Sequence, residues 1–207
     1  EESANGYYFF RWSDGETATP YTLTIVKDST IGAVYKKEFI AANGLKYTLT
    51  SKTTVSVGKG STAPVGELDI PATVTDADGD SFSVTSMAEN AFKESCELTS
   101  VTIPEGITSI SENAFYGCTG LTSVTISSGV TNISKYAFYS CMALTSVDIP
   151  NSVTSIGEGT FNSCRSLTSV DIPNSVTSIG HGVFYGCSGL TSVSISNSVT
   201  SISSSML

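Results

Sequence analysis

The chain has 207 residues, 40% of them apolar and only 14% charged, with a net charge of −9. That is enough sequence for one larger or two smaller folded units. The charge is uneven: residues 1–60 carry seven basic and six acidic side chains, residues 61–207 three and thirteen. The acidic second part argues against nucleic acid or an anionic membrane surface as a partner, and no run reaches the roughly 18 apolar residues of a spanning helix. These residues include no basic-plus-apolar leader, but the sequence opens mid-sentence at Glu1 as a processed or trimmed form would, so localisation is not read from a targeting segment.

Residues 1–37 contain GYYFFRWSDGETATPYTLTIVKDSTIGAVYKK. Gly6, Tyr8, Phe10, Trp12 and the strand ending Ala33-Val34-Tyr35 resemble the short β-repeats of bacterial surface proteins of the internalin B-repeat type. Residues 38–83 are expected to form a β-rich capping region. ANGLKYTLTSKTTVSVG alternates apolar and polar side chains, and Asn43-Gly44 is a turn signal, so a small sheet is expected to cover the first coil of the repeats beyond it. The segment Asp76-Ala77-Asp78-Gly79-Asp80 gathers carboxylates in the alternating manner of a calcium loop but lacks the distant Glu of one. Its flanks alternate as strands do, so a hairpin turning at Asp78-Gly79 is the preferred reading.

From residue 84 to 207 the chain repeats with a period of 23. Phe92, Phe115, Phe138, Phe161 and Phe184 keep this spacing, as do Leu98, Leu121, Leu144, Leu167 and Leu190, each opening the tetrad LTSV. Residues 144–157 and 167–180 are identical, both LTSVDIPNSVTSIG. Within one copy, Val147 and Ile149 alternate with Ser146 and Asp148, a strand with one buried face that Pro150 ends. Val153 and Ile156 mark a second extended side, and the Ala-Phe pair is expected to fill a helical or 3₁₀ turn. The eight or so inward side chains of one copy do not offset the entropy of ordering 23 residues, so the copies must stack.

The phrase L-T-S-V-x-I-P-x-x-V-T-S-I-x-x-x-A-F-x-x-C resembles the BspA-like subclass of bacterial leucine-rich repeats. GELDIPATVTDADGDSFSVTSMAENAF resembles the irregular first repeat of that family, with a hairpin inserted after the I-P strand and Val84 and Met87 aligned with Ile107 and Ile110. The resemblance implies a leucine-rich-repeat solenoid of the α/β horseshoe class: short parallel β-strands with helical or 3₁₀ turns, preceded by a small β-rich N-terminal region. It also implies a secreted or surface-anchored bacterial protein, often linked to adhesion.

Few residues offer site chemistry. Cys118, Cys141, Cys164 and Cys187 fall in register and Cys96 one place late. A line of parallel thiols is not a zinc tetrahedron, and an odd count does not make a disulfide scheme, so buried small hydrophobes are expected. His181 is the only histidine and sits in a variable turn. Asp148 and Asp171 stack on adjacent rungs, but an open sheet gives them no pocket. Neither catalysis, a metal nor a cofactor is therefore expected.

The candidate ligand-facing residues are the outward column Thr102, Thr125, Asp148, Asp171 and Ser194, flanked by serines 100, 123, 146, 169 and 192, with Asn151, Asn174 and Asn197 at the following corner. They suggest an interaction or adhesion module for an extracellular protein or glycan. The alternatives are a spacer or stalk, or a glycan-binding module using Tyr116, Tyr139 and Tyr185, which follow the repeat phenylalanines. The sequence stops mid-coil, so the expectation is that the stack continues or that Met206 and Leu207 close it imperfectly.

Overall fold

The computed structural model describes the backbone of residues 8–12 and 33–36 and all of residues 37–199. β1 (Tyr8–Trp12) and β2 (Ala33–Lys36) pair antiparallel. The rest of the B-repeat-like segment lies outside the described residues, as do Met206 and Leu207.

β3 (Glu38–Ile40), β4 (Lys46–Leu49) and β5 (Thr54–Gly58) form an antiparallel meander. Gly44 turns the first hairpin at a φ of 76°, with the Asn43 Oδ1 accepting from the Leu45 N–H. Alternation then sends Tyr47, Leu49, Val55 and Val57 inward, and Phe39 packs against the rings of both Tyr47 and Phe82. β6 (Gly66–Asp69) follows, then the hairpin of β7 (Thr73–Thr75) and β8 (Ser81–Met87).

β5 pairs parallel with β8, giving a five-stranded sheet in the order β3-β4-β5-β8-β7. The position between residues 83 and 84 falls inside β8. Val84 and Met87 are buried, and the Met87 carbonyl accepts from the Ser111 hydroxyl one coil on. The hairpin loop is not the expected two-residue turn. The Asp76 N–H donates to the Asp80 carbonyl around three residues, with Gly79 at a φ of 88°. The Asp76 carboxylate also accepts from the N–H groups of Asp78 and Asp80, which fixes the wider loop.

From β9 (Leu98–Ile103) onward the chain winds in three-sided coils. One side carries the LTSV strands: β6 and β11 (Ser123–Ile126) flank β9, and β14 (Ser169–Ile172) pairs with β16 (Ser192–Ile195), all parallel, with one register shift in the β6–β9 pair between Gly66 and Glu67. The coil between them joins through a bridge from Ser146 to Ser169. The second side is a parallel sheet of the two-residue strands β10 (Ser109–Ile110), β12 (Asn132–Ile133), β13 (Ser155–Ile156) and β15 (Ser178–Ile179).

The third side corrects the expectation of helical or 3₁₀ turns: there is no helix among the described residues. Each turn holds two left-handed residues four apart. They are Asn90 and Glu94, then Asn113 and Gly117, Tyr136 and Ser140, Gly159 and Ser163, and Gly182 and Gly186. Left-handed residues interrupt a helix and aim alternate N–H groups out of the coil. The N–H groups of Asn90, Phe92 and Glu94 donate to the carbonyls of Glu112, Ala114 and Tyr116, and the same three bonds recur between each following pair of coils through Gly159, Phe161 and Ser163. The intervening residues Ala91, Lys93 and Ser95 donate three residues back. The turn is therefore a third ladder between coils.

Inside, identical side chains stack on identical side chains. Phe92, Phe115, Phe138, Phe161 and Phe184 are all buried, with ring centroids 5.3–5.9 Å apart and planes within 16°. The resulting fold is a leucine-rich-repeat solenoid of many short parallel strands.

Candidate functional site

The outward residues of the LTSV segments form one column, although the strands beneath it are interrupted at residues 144–150, where only the Ser146–Ser169 bridge remains. The register sets Thr102 opposite Thr125, and Asp171 opposite Ser194, with Asp148 between. All five are exposed, as the alternation requires. β6 adds a rung that the sequence pattern did not single out: Asp69 lies opposite Thr102, and Glu67 opposite Ser100. Both are exposed. Asp69 was findable, because Leu68-Asp69-Ile70-Pro71 has the same pattern as Val147-Asp148-Ile149-Pro150; the hairpin inserted after it hid the period. Asp69, Asp148 and Asp171 form no side-chain hydrogen bond or ion pair among the described residues.

Asn151, Asn174 and Asn197 stand at the next corner, all exposed. Each occupies a turn closed by the residue two later, as where the Val153 N–H donates to the Pro150 carbonyl and Val176 to Pro173. In earlier coils this corner is used internally: the Glu105 carboxylate accepts from the N–H and hydroxyl of Ser128. No such pairing ties up the three asparagines among the described residues.

Other hydroxyls are structural. The Thr122 N–H and Oγ1 both donate to the Thr99 carbonyl, and Thr145, Thr168 and Thr191 continue the arrangement. Thr131, Thr154 and Thr177 do the same on the second side. These seven threonines each give two donors to one carbonyl of the coil below.

The five cysteines are all free thiols. Cys118, Cys141, Cys164 and Cys187 are buried, and their S–H groups point at the carbonyls of Phe92, Phe115, Phe138 and Phe161 at 3.0–3.3 Å. Burial pushes the Cys118 thiol up to about 12 and Cys187 to about 11, and raises Cys141 and Cys164 strongly as well. Burial of this kind disfavours the thiolate, the form that attacks electrophiles and binds metals. In the hairpin loop, carboxylate oxygens of Asp76, Asp78 and Asp80 lie within 4.8 Å of one another.

The turn side carries a group of tyrosines, half-buried at 116, 136 and 139 and exposed at 185. Tyr116 and Tyr139 stack at 4.7 Å, and the Lys93 ammonium sits 5.0 Å from the Tyr116 ring centre. Asn162 interrupts the column before Tyr185, which is 59% exposed. Tyr136 meets Tyr139 edge-on and donates its hydroxyl to Glu158 at 2.6 Å. That carboxylate holds the Tyr136 phenol above its usual value. His181 lies beside these residues, at the edge of a cleft of about 270 Å³.

The BspA type leucine-rich repeat region matches residues 85–207 in six copies. No curated protein matches the chain significantly. Among solved structures, a leucine-rich repeat protein of T. pallidum is 32% identical, with a TM-score of 0.66 over 73% of this chain and 69% of its own. One from Bacteroides ovatus is 31% identical, with a TM-score of 0.71 over 77% of this chain and 42% of its own. The pneumococcal vaccine antigen PcpA, at 24% identity and a TM-score of 0.57, shares the fold over 74% of this chain and 48% of its own. The 23-residue phrase, the three inter-coil ladders and this match agree: the chain belongs to the BspA-type leucine-rich repeat family.

Proposed function

We propose that the chain is an extracellular or surface-attached interaction module that binds a host or neighbouring-cell protein through the outward face of its LTSV strands. One observation carries the proposal. Asp69, Thr102, Thr125, Asp148, Asp171 and Ser194 form an exposed column, and its three carboxylates have no side-chain partner among the described residues. The threonines beside it are engaged in holding coils together; the column is not. The asparagine corner at 151, 174 and 197 extends the same polar surface.

Strands hold Asp69, Thr102, Thr125, Asp171 and Ser194, and stacking between neighbouring coils holds Asp148, so little ordering entropy opposes binding. The acidic excess favours a partner with a basic or amide-rich surface, and steers its approach. The test is binding of immobilised extracellular-matrix proteins to the chain and to an Asp148→Lys/Asp171→Lys double variant. A matrix protein should bind the native chain, bind more weakly as salt rises, and lose about tenfold or more in affinity with the variant. Absence of binding across the panel, or binding indifferent to the variant, would leave the spacer role as the better account.

A further inference from the structure

The turn side carries a second feature, independent of the LTSV face. In the three turns from residue 136 to residue 185, the first left-handed position is Tyr136, then Gly159, then Gly182. The Tyr136 ring lies over Gly159: a Cβ there would fall 2.5 Å from its edge. Gly159 carries no side chain to cover Gly182 in the same way. The neighbouring column is interrupted too, reading Tyr139, Asn162, Tyr185. The two glycines that follow Tyr136 in one column meet the gap at Asn162 in the other, and the result is the cleft of about 270 Å³, lined by Tyr136, Gly159, Gly182 and Tyr185 among others.

Polar groups at the rim are oriented but not exhausted. The Glu158 Oε1 is fixed by the Tyr136 hydroxyl, which leaves Oε2 as an acceptor. The Asn162 Oδ1 accepts from the Ser163 hydroxyl, which leaves its amide NH₂ as a donor. The Tyr185 hydroxyl and the His181 imidazole complete the rim. We propose that this cleft binds a single ring of a neutral saccharide.

A pyranose has an apolar C–H face, which suits the exposed Tyr185 ring and the half-buried Tyr136 ring, and a rim of hydroxyls, which suits a carboxylate, an amide and an imidazole. The volume falls just under the usual range for small-molecule sites and fits one ring rather than a buried chain. Glu158, on a chain of net charge −9, disfavours uronic, sialylated or sulfated sugars.

Saturation-transfer NMR with the methyl glycosides of glucose, galactose, mannose and N-acetylglucosamine, together with an array of neutral and acidic oligosaccharides, tests the proposal on the full chain. At least one neutral sugar should receive saturation and shift the backbone amides between residues 158 and 185. Tyr185→Ala should lower its affinity by about tenfold, while Tyr185→Phe retains most of it. Because Tyr185 is exposed, both variants should melt with the native chain. Three results would overturn the assignment: no neutral sugar binding, binding untouched by Tyr185→Ala and Asn162→Ala, or binding confined to acidic glycans.

Discussion

Each buried thiol of the cysteine column points at the carbonyl of a phenylalanine 26 residues earlier, and burial holds it neutral. Cys96 is exposed, because Ser95 takes the buried slot in its coil. The Ser95 hydroxyl has no partner there. It opens the column, above an irregular coil with no matching phenylalanine carbonyl. Reactivity separates the two environments. In the folded chain at pH 8, Ellman's reagent should modify Cys96 rapidly and the other four only after denaturant is added. Fast labelling of a second thiol would contradict the burial. The one-place displacement of Cys96 was visible in the sequence, and so was the inward phase of its four counterparts. Side-chain period reports which way a residue faces, but not which carbonyl it meets.

At the level of the element, the strands were legible and the turns were not. Alternation around Val170 and the proline at 173 specify the strand β14 on their own, whereas the same letters around Val147 and Pro150, expected to form a strand, keep only the bridge at Ser146. The left-handed backbone of Tyr136, Ser140 and Ser163 has no local signal, since neither tyrosine nor serine favours it. It is imposed by the ladder of three hydrogen bonds that each turn makes to the next, a contact between residues 22 apart. The cleft escaped sequence reading for the same reason, because it depends on which residues succeed Tyr136 one and two coils on. The phenylalanine stack is the packing counterpart of that ladder. Phe138 is fully buried between Phe115 and Phe161, at 5.3 and 5.6 Å. Phe138→Ala should cost about 3–5 kcal/mol, because the rings on either side cannot close the gap. Urea denaturation measures it, and a loss under about 1 kcal/mol would show that the coils collapse to fill the space.

For the whole molecule, stability passes from coil to coil, so the ends matter most. At the N-terminal end β5 pairs with β8, and Tyr47, Val55 and Val57 are buried with Phe82 and Val84. That pairing covers a strand edge that would otherwise template association. A chain lacking residues 1–58 should keep its repeat coils but associate, giving a higher mass by light scattering than the full chain at equal concentration. An unchanged mass would mean that β5 is dispensable as a cover.

The identical letters of residues 144–157 and 167–180 also set a proofreading problem. While the stack is still forming, a coil slipped by one repeat would find the same leucine, valine and isoleucine partners, the burial lost with the looped-out coil being felt only once the stack is complete. Discrimination falls to the few pairs that differ between neighbours. In the native stack Tyr136 donates to Glu158, and Lys135 pairs with Glu112 at 3.2 Å. After a slip that omits residues 144–166, Tyr136 would face His181 in place of Glu158. The irregular residues on the turn edge thus index an otherwise uniform stack, marking which coil belongs next to which.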